Sequence, residues 1–175
     1  HGNSFFFLFC VLPLAAQVFP FYEPKPLCEK QFQIMFTLYS DYRKQYLHGR
    51  LFYSRKGVKD LFLRAIYELR LQRGDLPLHI GVPVRHAKAI PMFSVEWQLL
   101  LFYFIRCHGL TIGSINESTK HYFLTWASLP TIPQAFLAID EYIQILRKLS
   151  VSNLSCVCSK EQLIQVLYSE IIAIY

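Results

Sequence analysis

The stretch "SVEWQLLLFYFIRCHG", residues 94–109, determines the fold, because the rest of the chain has to cover it. All eight residues of its middle, Trp97 and the run from Leu99 to Ile105, are large and apolar. Ser94 is a suitable N-cap, and Gly109 is a suitable residue just past the C-terminus of a helix. A helix that is apolar all round is buried on every side. We therefore predict a central helix covered by a sheet of the same chain and by a partner.

The segments around this helix predict an α-β-α-β-β order. Apolar residues recur at helical spacing from Val58 to Leu69, and Gly74 gives that helix a stop. "LHIGVPV" (Leu78–Val84) is typical of a strand. "HYFLTWA" (His121–Ala127) is rich in aromatic and β-branched residues and follows a polar turn, which predicts a hairpin with Leu110–Ile115.

The remainder of the chain predicts a second small unit. The period of Ala135–Leu149 is ambiguous between helix and strand, while Ser159 and Gln162 form a capping box that opens a short helix. "EIIAIY" (Glu170–Tyr175) then predicts a closing strand. The expected fold class is α/β (α+β), with the C-terminal subdomain built as strand, short helix and strand. Prolines near position 130 mark a domain boundary. Three domains are therefore predicted: 1–57 as an N-terminal extension, 58–129 as the α-β-α-β-β subdomain and 130–175 as the C-terminal subdomain.

The N-terminal extension begins with an uncharged apolar run, "FFFLFCVLPLAAQVF" (Phe5–Phe19). This run is shorter than the roughly 20 residues that a membrane-spanning helix needs, and Pro13 interrupts it. We expect it to lie on a neighbouring subunit rather than to anchor the chain in a membrane.

Positive charge is concentrated in one part of the chain. The formal net charge is +6, and between Arg43 and Lys88 there are eleven basic residues against three acidic ones. Such clustering favours a polyanionic partner, either nucleic acid or anionic lipid, because releasing counterions drives association. The simpler alternative is a solvated helix face. The phosphate contacts predicted here are Arg64, Arg70, Arg73, Arg85 and Lys88.

Catalysis and cofactor binding are not indicated. The chain has no glycine-rich phosphate loop, no GxSxG and no HExxH motif, and its five cysteines form no CxxC pair. We predict reduced, buried thiols, no enzyme activity, no metal, no cofactor and no small-molecule substrate. The alternative at this point is a redox or zinc site that uses Cys156 and Cys158.

The C-terminal stretch "RKLSVSNLSCVCSKEQLIQVLYSEIIAIY", residues 147–175, resembles the small-subunit ribosomal protein S-eight family. That family has a stretch of the type "KRISKPGRRVYVSKEELPKVLNGLGIAII". The "RK" pair at Arg147, the serine at Ser150 and "SKEQL" (Ser159–Leu163) match it without a gap. Upstream, "DLFLRAIYELRLQRG" (60–74) and "IPMFSVEWQLLLFYFIRCHGLT" (90–111) are similar to the first two helices of the family.

The resemblance implies a structural constituent of the small ribosomal subunit that binds the central domain of its rRNA. Val95 stands where the family has lysine, and the family's S-T-S-x-G loop would follow Tyr175, so the C-terminal subdomain is expected to be truncated. This loss of RNA-contact residues favours a divergent mitochondrial member, in a mitochondrial ribosome. Neighbouring ribosomal proteins would contact the N-terminal extension. The RNA-binding residues that the resemblance implies are Ser94, Arg147, Lys148, Ser150, Asn153 and Ser155.

The alternative function is an accessory subunit of an inner-membrane complex, respiratory or ATP synthase. In that case the N-terminus would associate with the membrane, and Arg43–Lys88 would face anionic lipid.

Overall fold

The computed structural model describes residues 43–49, 60–71 and 76–172. Within these ranges the chain is helical and contains no strand, so the predicted α/β (α+β) class is wrong. Most of the predicted N-terminal extension lies outside the described residues. The helices are α1 (43–49), α2 (Leu61–Glu68), α3 (Ser94–Cys107), α4 (Glu117–Trp126), α5 (Pro133–Lys148) and α6 (Lys160–Ile172), with 3-10 turns at Arg85–Ala89 and Ile112–Ser114.

Helix α3 is the buried centre that its composition predicts. Every residue from Val95 to Ile105 is buried. Helices of the same chain cover it, in place of the expected sheet: α2 packs along it, and Phe123 of α4 and Tyr142 of α5 contact its aromatic rings. Phe93, not Ser94, is the N-cap residue. The four helices α2 to α5 therefore share one apolar core.

The predicted strand Leu78–Val84 is an irregular segment. We name residues 76–82 the core segment, because His79, Ile80 and Val82 are almost fully inaccessible to solvent. A buried segment without regular structure must satisfy its carbonyl groups by other means. Here side chains perform that task, and no neighbouring strand is needed.

Three side chains hold the core segment from three helices. Arg43 of α1 donates to the carbonyls of residues 76, 77 and 78 over 2.7–3.1 Å. The hydroxyl of Tyr142, on α5, donates to the carbonyl of His79 at 3.0 Å. Arg43 belongs to the basic cluster in the sequence, yet its side chain is buried and stabilises the fold through these hydrogen bonds.

Gln98 of α3 makes the tightest contact with the core segment. Its Oε1 accepts from the Gly81 amide at 2.6 Å, and its Nε2 donates to the Val82 carbonyl at 2.8 Å. One side chain thus satisfies a donor and an acceptor of the backbone, as a neighbouring strand would. Within the same segment, burial and the nearby Arg43 charge lower the pKa of His79 to about 4, so its ring is neutral at pH 7.

The predicted hairpin of Leu110–Ile115 with His121–Ala127 is also wrong. Asn116, assigned to the turn of that hairpin, is the N-cap of α4 and accepts from the Thr119 amide at 2.9 Å. Burial of Phe123 and Leu124 on one face of α4 outweighs the strand preference of the aromatic and β-branched residues.

Helix α4 is fixed to α5 by a buried cation. Lys120 is almost fully buried, and its Nζ donates to both carboxylate oxygens of Asp140 at 2.7 and 2.8 Å and also to Glu117. The carboxylates of Asp140 and Glu117 are themselves exposed to solvent, so the cation is the buried member of the set, and removing both acids would leave it without a charged partner.

The C-terminal unit is helical as well. The ambiguous stretch 135–149 lies mostly in α5, which starts with Pro133 in its first turn. The capping box before α6 is confirmed, because Ser159 and Gln162 each accept from the other's backbone amide at 3.1 Å. The predicted strand Glu170–Tyr175 is wrong as far as Ile172, where α6 ends, and its last three residues lie outside the described ranges.

Four helices end in the same Schellman motif. In each of them the residue after the C-cap has a positive φ and an apolar residue follows, whose amide bonds back to the helix. Gly109 at this position of α3 was expected from the sequence, whereas the other three residues are not glycine. The left-handed residues are Arg70 (φ 55°), Gly109 (φ 60°), Ser128 (φ 56°) and Ser150 (φ 55°), ending α2, α3, α4 and α5.

The first prediction concerns Gln98. Gln98→Met keeps the volume but leaves the Gly81 amide and the Val82 carbonyl buried without partners, so we expect a loss of about 2–4 kcal/mol in the free energy of unfolding. Gln144→Met, on the exposed face of α5, is the matched control and is expected to change it by less than about 0.5 kcal/mol. Urea unfolding measures both, and equal effects would contradict the assigned role of Gln98.

The second prediction concerns the left-handed positions. Ser128→Gly removes the strain of a side chain at positive φ and is expected to raise the free energy of unfolding by about 0.5–1 kcal/mol. Gly109→Ala is expected to lower it by a similar amount, although open space surrounds its Cβ position. If the two helix ends are built alike, the midpoint temperature of thermal unfolding rises in Ser128→Gly and falls in Gly109→Ala. Midpoint temperatures that change in the same direction would contradict the shared Schellman geometry.

Candidate functional site

An open cleft of about 1240 Å³ lies where α2, α3 and α5 end. Its lining is mainly aliphatic, and the part that we call the floor consists of Leu69, Ile105, Leu110 and Ile112. Pockets that bind ligands are typically concave and mostly apolar, with a few polar groups that fix orientation. The cleft has this character.

The helix ends explain why the cleft forms here. In a Schellman motif the chain reverses and packs the following apolar residue back against the helix. Leu71, Leu110 and Val151 are those residues for α2, α3 and α5, and all three line the cleft. The core segment supplies another wall through residues 76–78.

The charges at the cleft have one sign. Arg106, in the last turn of α3, and Arg147, in the last turn of α5, line it and are exposed. Exposed Arg70 lies between two lining residues, Leu69 and Leu71. No aspartate or glutamate is among the described residues that line the cleft. A cation near a helix C-terminus also complements the helix dipole, which gives each arginine a structural role.

The guanidinium groups of Arg106 and Arg147 are available to a ligand. Neither forms a hydrogen bond with another group of the described residues. The charge of Arg106 acts on Glu68, but Glu68 is hydrogen-bonded to Arg64: the two side chains lie 2.8 Å apart, and this hydrogen bond is the main cause that lowers the pKa of Glu68. An anion that enters the cleft would therefore meet free donors.

A polar loop, residues 150–158, forms one lip of the cleft. Asn153 organises it, because its Oδ1 accepts from the amide of Ser155 at 3.0 Å and from the Ser155 hydroxyl at 2.7 Å. The Asn153 side chain thereby shapes the turn and does not simply point into solvent. Ser152 and Ser150 complete the hydroxyl groups of this lip.

The two cysteines of the loop have different surroundings. The Sγ of Cys156 lies 3.4 Å from the Ser152 hydroxyl, a hydrogen bond that lowers its pKa. Cys158 is buried, which raises the pKa of its thiol. The described residues contain no group of three or more His, Cys, Asp or Glu side chains that could hold a metal ion. The alternative of a zinc site at this pair thus has no ligand set in that part of the chain.

Part of the predicted RNA-binding set meets at this cleft. Arg147, Ser150, Asn153 and Ser155 line it. Ser150 also occupies the left-handed position that ends α5, so its backbone has a structural role. Lys148 does not line the cleft, and its Nζ donates to Glu170 of α6 instead.

The other predicted residues are placed elsewhere. Arg64 pairs with Glu68, and half-buried Ser94 is the first residue of α3. Exposed Arg85 and Lys88 lie on the 3-10 turn that packs against α5, and neither lines the cleft. Arg73 lies outside the described residues.

Arg106, Thr111 and Ser152 are cleft residues that the sequence reasoning missed. A signal for Arg106 was present, because it lies three residues before the helix-ending Gly109, as Arg147 lies three residues before Ser150. The convergence of these helix ends was not predictable, since it depends on how the helices pack.

None of the described helices is both long and apolar enough to cross a membrane. No protein-family model, curated protein or solved structure matches the chain. Function therefore has to be inferred from the chemistry of the cleft: free arginine donors, a hydroxyl-rich lip and an aliphatic floor.

Proposed function

We propose that this chain is a non-enzymatic RNA-binding protein whose binding surface is the arginine-edged cleft. The proposal depends on the positive charge of the cleft. Arg106 and Arg147 line it, and no aspartate or glutamate does so among the described residues. Guanidinium groups bind phosphate through two parallel hydrogen bonds, and a cleft without acids does not repel a polyanion.

The polar lip suits RNA in particular. Hydroxyl and amide groups, such as those of Ser150, Ser152 and Asn153, can bond to phosphate oxygens and to the ribose 2′-hydroxyl. The net charge of +6 adds a longer-range attraction. Arg43 is excluded from this role because it is buried and bonded to the core segment.

For the cellular setting we propose the small ribosomal subunit of a mitochondrion, with its rRNA and neighbouring ribosomal proteins as partners. This part of the proposal rests on the resemblance of residues 147–175 and on the basic charge. The helical fold of the described residues counts against membership in that family, because the family implied an α/β architecture.

Fractionation tests the setting. In a density gradient of a detergent lysate at low salt with Mg²⁺, the protein is expected to sediment with the small ribosomal subunit, and after carbonate extraction it is expected in the supernatant, because phosphate contacts do not survive high salt or alkali. Recovery with the membranes would contradict this setting and favour the inner-membrane accessory subunit instead.

Binding of labelled RNA tests the cleft itself. The full chain is titrated against a fluorescein-labelled oligouridylate at several salt concentrations, and anisotropy gives the affinity. Each lost phosphate contact reduces the slope of log K against log salt by about 0.7 for a single strand. The double variant Arg106→Gln/Arg147→Gln is therefore expected to bind more weakly, with a slope lower by about 1.4.

Arg85→Gln is the matched control for this experiment. Arg85 is also an exposed arginine, but it lies on the 3-10 turn that packs against α5 and does not line the cleft. Its replacement is expected to leave the affinity and the salt slope close to those of the unchanged chain. An equal loss in the control and the double variant would place the RNA contacts outside the cleft.

A further inference from the structure

The floor of the cleft is larger and more apolar than phosphate binding requires. Phosphate contacts use only the arginines and hydroxyl groups at the edge, and they are satisfied on an open surface. The aliphatic floor, which includes Leu69, Ile105 and Leu110, belongs to the same lining as these groups. An apolar lining with arginines at its edge suits a ligand that is itself divided into an anionic part and an apolar part.

A nucleotide with an unpaired base has this division. The two faces of a base are apolar and its edge is polar, while its phosphate lies one sugar away. In a duplex the bases are stacked and paired, so that only phosphates and 2′-hydroxyls are offered to a protein surface. Duplex RNA would thus use the arginines and leave the floor empty.

The cleft also carries the groups that would hold a base. The planes of arginine guanidinium groups stack on bases, and Arg106 and Arg147 both lie at the edge. Thr111, Ser152 and Asn153 bring hydroxyl and amide groups to the lining, within a cleft of about 1240 Å³. The polar edge of a base could form hydrogen bonds with these groups while its faces contact the aliphatic side chains.

We propose that the cleft takes an unpaired base of single-stranded RNA, with the adjacent phosphates on Arg106 and Arg147. The inference rests on the proposed RNA binding and deepens it: the chain distinguishes unpaired from paired RNA. The floor provides the distinction, and the arginines provide the part of the affinity that depends on salt.

The closing experiment compares a labelled decauridylate with a labelled RNA hairpin of equal phosphate number whose loop is a non-nucleotide linker, so that the hairpin has no unpaired base, using the full chain. The decauridylate is expected to bind about tenfold more tightly, toward the low end of what a base stacked on an aromatic side chain contributes, because the cleft offers guanidinium planes and aliphatic side chains. In Gly113→Trp the indole is expected to fill part of the cleft. Gly113 has no positive φ, and a Cβ there would meet only the Thr111 hydroxyl oxygen at 3.9 Å, an ordinary van der Waals contact, so the backbone is not strained. This variant is expected to lose the tenfold preference and to keep hairpin binding and the salt slope.

Gly49→Trp is the matched control, since the Cβ position of Gly49 meets open space and Gly49 does not line the cleft. It is expected to retain the preference. Equal affinity of the unchanged chain for both RNAs, or an unaltered preference in Gly113→Trp, would overturn the inference while leaving the proposed RNA binding intact. Failure of both RNAs to bind would overturn the proposed function itself.

A measurement on the unchanged chain guards against a Gly113→Trp protein that does not fold. One uridine of the strand is replaced by 2-aminopurine, and acrylamide quenching of its fluorescence is measured with and without protein. A base in the cleft is expected to be shielded from acrylamide, with less shielding in Arg106→Gln/Arg147→Gln. Quenching that stays the same although the strand is bound would overturn the inference.

Discussion

The structure depends on how the core segment, residues 76–82, satisfies its backbone. An irregular segment in an apolar core would be costly if its carbonyl groups lacked hydrogen bonds. Arg43, Gln98 and Tyr142 supply them from three different helices. Because each of these side chains reaches the segment only when its own helix is in place, the segment fixes α1, α3 and α5 relative to one another. It thereby does in a helical fold what a central strand does in a sheet.

The same arrangement positions the candidate site. Helix α3 carries Gln98 toward the core segment and Arg106 to the cleft, and α5 carries Tyr142 and Arg147 in the same way. The core segment itself contributes residues 76–78 to the wall of the cleft. Buried hydrogen bonds consequently fix the two helix ends that carry the arginines relative to each other. Such pre-organisation reduces the ordering that a ligand has to impose when it binds.

Sequence patterns predicted individual helix positions and helix ends better than they predicted the fold. The buried centre at α3, Gly109 after its last turn and the capping box at Ser159 were all legible, because each depends on residues close in sequence. Leu78–Val84 and His121–Ala127 were misassigned because strand preference was trusted where tertiary contacts decide. The role of Gln98 could not be predicted, since its two partners lie 16 and 17 residues away and become neighbours only in the folded chain. Of the site, the polar lip was anticipated and Arg106 was not.

The resemblance to a ribosomal family drew attention to residues 147–155, and the structure gives that stretch a different context, a helix end and a cleft lip instead of paired strands. The central claim is that this lip and the end of α3 form one RNA-binding surface. Backbone amide NMR shifts during titration with a short oligouridylate test it most directly. The account predicts shifts concentrated in residues 109–113 and 150–158, two segments far apart in sequence. Shifts confined to the 3-10 turn Arg85–Ala89, or no shifts at all, would contradict it.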